Sequence, residues 1–193
     1  LQQDARELFG QNRAAQMNPN PDTPMLIRSA IDSDAEAIGR IRVRAWRAAY
    51  REYMPAEYLA NLDATANLDK LRMSLALPQP PFVATVAQIE EEIVAFSIVG
   101  ASRHRPAADA VELWALNVEP DCWRMGVGRR LVEAASQHAV LGAASRIELW
   151  YIEGNAAASS LYESCGFKRT GEARTTSALT GHPLHELAYA KLL

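Results

Sequence analysis

Gly126 and Gly128 are separated by one residue and flanked by Arg124, Met125, Arg129 and Arg130, in a stretch reading RMGVGRR. The apolar run VELWALNV, 111–118, precedes it, and a run with helical periodicity follows as far as Leu141. Where a strand gives way to a helix, the first-turn N–H groups have no partner inside the helix. The amides of Arg124, Met125, Gly126, Val127, Gly128 and Arg129 are therefore candidate donors to an anion, and the helix dipole adds about 0.3 to 1 kcal/mol. Glycine removes the side chain that would hold a phosphate off the backbone and opens dihedrals that other residues avoid. Arg129 and Arg130 supply side-chain charge. The same residues also describe a plain glycine turn without a ligand. A P-loop is not matched, since no Gly-Lys-Ser/Thr triplet occurs here. A dinucleotide fingerprint fits poorly, because Leu131 stands where a small residue is wanted and Glu148 lies inside a strand-like run.

The elements that must carry this loop are readable from periodicity. A short strand at MLIR (25–28) leads to a helix capped by Asp32 or Ser33, in which Ile38, Ile41, Ala45, Trp46 and Ala49 form one apolar stripe. One or two helices follow, broken at Met54–Pro55 and ended by PQPP. FVATVAQ and EIVAFSIVG read as an antiparallel hairpin, ASRHRPAADA as a loop, and VELWALNV as the next strand. A helix over 128–141 ends at Gly142, RIELWYI is a strand, a helix runs from Asn155 to Gly166, and the tail closes as a hairpin around TGHP. The β-loop-helix-β unit at 111–151 implies a parallel step in an otherwise mostly antiparallel sheet. Residues 1–24, with three prolines in MNPNPDTP, read as an extension and linker ahead of a domain at 25–193.

ELWALNVEPDCWRMGVGRRLVEAA followed by IELWYIEGNAAASSLYESCGF resembles the acetyl-CoA-binding core of the GNAT superfamily of N-acetyltransferases. Gly126 and Gly128 match its strand-to-helix loop, while Trp123 stands where Gln or Arg is usual. Asn155, Ala158, Leu161, Tyr162, Gly166 and Phe167 match its second motif. The likeness extends over nearly all of 25–193. It implies an α+β, three-layer fold with a mixed, mostly antiparallel sheet, a splayed parallel step and helices on both faces.

The resemblance implies acetyl transfer from acetyl-CoA to a primary amine of a small molecule, amino acid or peptide N-terminus by direct attack on the thioester. Acetyl-CoA is then a cosubstrate and no metal is needed. The loop 124–129 would cradle the diphosphate, and main-chain groups of Leu116, Asn117 and Val118, with Asn155 and Tyr162, would hold the pantetheine arm as an added strand. A lysine-like amine, of pKa about 10.4, must lose a proton near pH 7, a handicap of about 4 to 5 kcal/mol. The resemblance assigns that proton to Glu112, or to water in front of it, and makes Tyr162 the acid toward the departing sulfur. Another position that carries the base in some relatives is Trp150 here, which cannot act. A non-catalytic acyl-CoA-binding module of the same fold is the alternative, and a nucleotide-binding α/β domain is a third reading.

The remaining residues exclude more than they assert. With a formal net charge of −3, there is no basic surplus for nucleic acid or anionic lipid. No run is apolar enough for a membrane helix, and no signal peptide is visible, so the expected location is the cytoplasm. Cys122 and Cys165 lack zinc-type spacing, and His182 and His185 have ligand-like spacing without a third partner. The expected partner is the amine acceptor, and a homodimer is compatible with the resemblance.

Overall fold

The computed structural model describes residues 24–103, 109–178 and 180–193. Nearly all of the extension and linker expected at 1–24 lies outside them. One seven-stranded sheet has the order β1-β2-β3-β4-β5-β7-β6, from β1 (Met25–Ser29), β2 (Val83–Ile89), β3 (Glu92–Ala101), β4 (Ala110–Val118), β5 (Arg146–Ile152), β6 (Lys168–Thr176) and β7 (Leu184–Leu192). Every neighbouring pair is antiparallel except β4 and β5. The mixed sheet with one parallel step is therefore as expected.

Helices cover both faces. On one, α1 (Ala35–Ala49) and α2 (Ala56–Ala60) are separated where Pro55 interrupts the helical run, and α3 (Leu68–Ala76) follows. Ile38, Ile41 and Leu75 pack there on Val86 and Phe96. On the other face lie α4 (Val127–Leu141) and α5 (Ala156–Ser164), and Val132, Ala135 and Ala139 pack on Val111, Leu113, Ile147 and Leu149. The cap of the first helical segment is neither Asp32 nor Ser33. A 3-10 turn at Asp32–Asp34 intervenes, and Asp34 accepts the Ile31 N–H at 2.9 Å and the Arg28 guanidinium at 2.6 and 3.0 Å.

Two register details shape the centre of the sheet. The β4–β5 ladder has only three cross-strand pairs, ending at Glu112 opposite Glu148. On the other edge of β4, Val99 faces Leu113 while Ile98 faces Ala115, so Trp114 is an extra residue, a β-bulge. A bulge bends its strand and sharpens the local twist. Placed two residues past the last parallel pair, it turns β4 away from β5. The Trp114 ring lies over Gly100, where an added Cβ would stand 2.2 Å from it.

Candidate active site

Beyond Glu112 and Glu148 the two strands part, and a cleft of ≈ 1110 Å³ opens between them. Leu113 to Val118 line it from β4, Trp150 and Tyr151 from β5, the end of α1 and the residues after it from one face, and the starts of α4 and α5 from the other. The edge of β4 that pairs with β5 up to Glu112 makes no ladder bonds past that point. Its N–H and C=O groups, Leu116, Asn117 and Val118 included, flank the cleft as an open strand edge. The Val118 carbonyl also accepts the Trp123 indole N–H at 2.8 Å, which pins the following loop against the strand.

That loop has the form of an anion nest. Arg124 and Gly126 both adopt left-handed backbone, with φ of 63° and 81°. Successive amides in such alternating conformations converge on one point. The first backbone bond of α4 runs from the Arg130 N–H to the Gly126 carbonyl at 3.1 Å, so the amides ahead of it are outside the helix ladder. The two glycines serve different ends. At Gly126 an added Cβ meets nothing within 4 Å, so the backbone faces open space and the left-handed φ is what requires glycine. At Gly128 a Cβ would stand 3.0 Å from Leu161 Cδ2, so this glycine lets α4 approach α5. Met125 and Val127 pack in the core beneath the loop and offer only main-chain groups. Arg124 and Arg129 line the cleft, and Arg129 Nη1 donates to the Ser164 carbonyl at 3.2 Å.

The loop is also tied to the opposite face. Arg44 of α1 reaches Glu119 and Asp121, both at 3.0 Å, from its Nε and Nη2. Further along the cleft, the Tyr53 hydroxyl donates to the Gly154 carbonyl at 2.8 Å, and a Cβ on Gly154 would stand 2.9 Å from the Tyr53 ring. The segment after α1 thus rests on the turn that starts α5. Asn155 caps α5 by accepting the Ala158 N–H at 3.1 Å and lines the cleft beside that turn. Seven residues, about two helical turns, separate it from Tyr162, so both reach the same cleft. Tyr162 is 9% exposed, its ring held by Tyr151 and Phe167. Burial, followed by neighbouring Tyr50 and Cys165, pushes its phenol well above the ordinary value. At neutral pH it keeps its proton.

Comparison with known proteins agrees with this geometry. Residues 31–167, more than half of the chain, match the family model described as acetyltransferase (GNAT) family. The chain belongs to the GNAT acetyltransferase family. It is 28% identical over 130 residues, 67% of the chain and 72% of the relative, to YuaI of Bacillus subtilis strain 168, described as an uncharacterized N-acetyltransferase. Among solved structures it is similar to the PaiA N-acetyltransferase of Thermoplasma acidophilum in complex with coenzyme A. There the TM-score is 0.70 and the identity 17%, covering 88% of this chain and 99% of that one. YncA of Salmonella typhimurium, with its cofactor acetyl-CoA, gives a TM-score of 0.68 and 21% identity over 88% and 94% of the two chains. The GNAT fold expected from the sequence is borne out.

Within this GNAT domain the expected site residues separate into two groups. Leu116, Asn117, Val118, Arg124, Gly126, Gly128, Arg129, Asn155 and Tyr162 share the cleft. Glu112 does not join them. Its side chain is 1% exposed, and its carboxylate accepts the Arg103 N–H at 2.9 Å and the Arg103 Nε at 3.0 Å, at the closed end of the β4–β5 pair. The carboxylate that does line the cleft, among the described residues, is the exposed Glu52. It follows a helical run in the sequence, and nothing in its spacing marks it.

Other expectations are placed as follows. Cys122 is buried and Cys165 half-buried at the end of α5. His185 Nδ1 lies 2.9 Å from the Thr175 hydroxyl. Among the described residues, no group of three or more His, Cys, Asp or Glu side chains is arranged for a metal ion, and no helix is long and apolar enough to cross a membrane.

Proposed function

We propose that this GNAT domain transfers the acetyl group of acetyl-CoA to a primary amine of a small molecule, amino acid or peptide N-terminus. The observation that carries the reading is the junction of an unpaired β4 edge with a nest of free amides at the start of α4, both opening into the same cleft as Tyr162. These features suit a ligand with amide groups along a chain and a diphosphate at one end. Open space at Gly126 and the cleft-lining Arg124 and Arg129 fit that diphosphate. When bound, acetyl-CoA supplies an activated acyl carbon on a sulfur leaving group.

The chain's own residues then bind, orient and manage protons. The main chain of Leu116 to Val118 aligns the arm, and Asn155 holds the start of α5 against it. Tyr162 donates a hydrogen bond at the sulfur. A departing thiolate of pKa about 8.5 is a weaker base than a phenolate of ordinary or raised pKa, so hydrogen bonding is favoured over full proton transfer. The amine's proton leaves through water at the exposed mouth, where Glu52 is the acceptor at hand. Glu112 holds Arg103 and the closed end of the cleft.

The second reading, a non-catalytic acyl-CoA-binding module, draws on the engagement of Glu112 with Arg103 and on Trp150 at the other base position. Purified protein with acetyl-CoA and a panel of amines, read out as free thiol, separates the two. Amine-dependent thiol release is expected; tight acetyl-CoA binding without release from any amine would favour the module.

A further inference from the structure

The cleft passes through the sheet, and its α1 face is walled by aromatic rings. Val111, Leu113, Ile147 and Leu149 face α4 and α5, so by alternation Trp150 faces α1. The bulge brings Trp114 to that same face, against Phe82 at 6.1 Å between centroids. Trp46 and Tyr50 close the opposite bank edge to face, 5.6 Å apart, and Trp46, Tyr50, Trp114 and Trp150 line the cleft. Tyr50 and Tyr162 line the same cleft, which sets this wall in the space that Tyr162 faces.

The charges around the wall are already matched. The Arg103 guanidinium lies 5.5 Å from the Trp114 ring centroid and binds Glu112; that of Arg174 lies 4.2 Å from Trp150 and binds Glu186 at 2.5 Å. Neither arginine, and neither of their carboxylates, lines the cleft. Trp114 and Trp150 thus each carry a paired cation that does not itself line the cleft. The charged lining on this bank is Arg51 and Glu52, both exposed and of opposite sign. An acceptor with a carboxylate beside its amine would bring a negative charge against these rings with no buried partner. An amine ending in a flat apolar ring would fill the space at no such cost.

Resting on the transferase reading above, the geometry points to an arylalkylamine acceptor: a primary amine on a short chain that ends in an apolar ring and carries no carboxylate next to the nitrogen. The amine nitrogen bonds to the acetyl carbon, the carbon–sulfur bond breaks with its electron pair going to sulfur, the nitrogen's proton passes to water, and the thiolate takes up a proton from water in turn. An amide and a free thiol result.

The test compares 2-phenylethylamine, phenylalanine, butylamine and 1,4-diaminobutane as acceptors with saturating acetyl-CoA, alongside calorimetry of acetyl-CoA binding. Phenylethylamine is expected to show kcat/KM at least about tenfold above each of the others. Trp150→Leu and, separately, Trp46→Leu should each erase its advantage over butylamine and leave the acetyl-CoA Kd unchanged. Preferred turnover of phenylalanine, butylamine or the diamine overturns this assignment and leaves the transferase reading standing. Acetyl-CoA binding with no turnover of any of the four overturns this assignment, and thiol release with the wider amine panel above then decides the transferase reading.

Discussion

Glu112 and Glu148 face each other as the last cross-strand pair of the parallel β4–β5 ladder, and the cleft begins at the residues that follow. Two carboxylates in direct opposition repel, and each is answered by an arginine: Arg103 for Glu112, and Arg146, at 2.8 Å, for Glu148. The closed end of the cleft is therefore fastened by a double ion pair, and the bulge at Trp114 sets the direction in which β4 leaves it.

Glu112→Gln should consequently act on stability more than on turnover. Removing the buried charge leaves Arg103 unpaired, at a cost of about 1 to 3 kcal/mol, visible as a lowered Tm. For Glu52→Gln the effect should run the other way, with an unchanged Tm and a kcat/KM at pH 7 reduced several-fold. That deficit should vanish as the pH approaches the pKa of the amine, where no base is needed. A rate lost on Glu112→Gln at an unchanged Tm would return the proton to Glu112.

Tyr162→Phe removes a hydrogen bond to a developing charge, about 1.5 to 3 kcal/mol, and kcat should fall roughly 10- to 100-fold with little change in acetyl-CoA affinity. Because burial holds the phenol above its ordinary range, the protonated form persists through neutral and mildly alkaline pH. The pH–rate curve of the unaltered enzyme should therefore rise with amine deprotonation and show no fall due to Tyr162 below about pH 10. Stopped assays across pH 6 to 10 check both points.

Gly126→Ala and Gly128→Ala should fail differently. Alanine at Gly126 must hold a left-handed φ, a strain of about 1 to 2 kcal/mol, which the loop can relieve by leaving the nest conformation. Acetyl-CoA affinity should drop about tenfold, read by calorimetry. Alanine at Gly128 presses on Leu161 and should lower the Tm, with part of the loss recovered in a Gly128→Ala, Leu161→Val double variant.

The Arg28–Asp34 pair gives the fold an acid-sensitive element. Burial alone would raise the Asp34 pKa, but the Arg28 bonds and the Ile31 N–H outweigh it and hold the carboxyl below its usual value. A depressed carboxyl stabilises fully above its unfolded value of about 3.9, and that contribution is lost as pH falls through the folded one. Denaturant titrations should thus show Asp34→Asn less stable than the unaltered chain at pH 6, with the gap narrowing toward pH 2.

The parts of the site that were legible in the sequence are those set by short-range physics. The glycine loop, its helix, and the seven-residue step from Asn155 to Tyr162 follow from local dihedral and periodicity rules. What was illegible depends on partners distant along the chain. The bulge at Trp114 exists only relative to β3, and register is a property of the pair. Glu112 looks like any strand carboxylate until Arg103 is set against it. Gly128 reads as a phosphate contact until Leu161 arrives from another helix, and Glu52 carries no spacing signal at all.

The bond from Tyr53 to Gly154 joins the segment after α1 to the turn that starts α5. Its acceptor atom belongs to the residue just before Asn155, so the α5 cap and the segment after α1 share one anchor. A single hydroxyl therefore bridges the two sides of the cleft at this point.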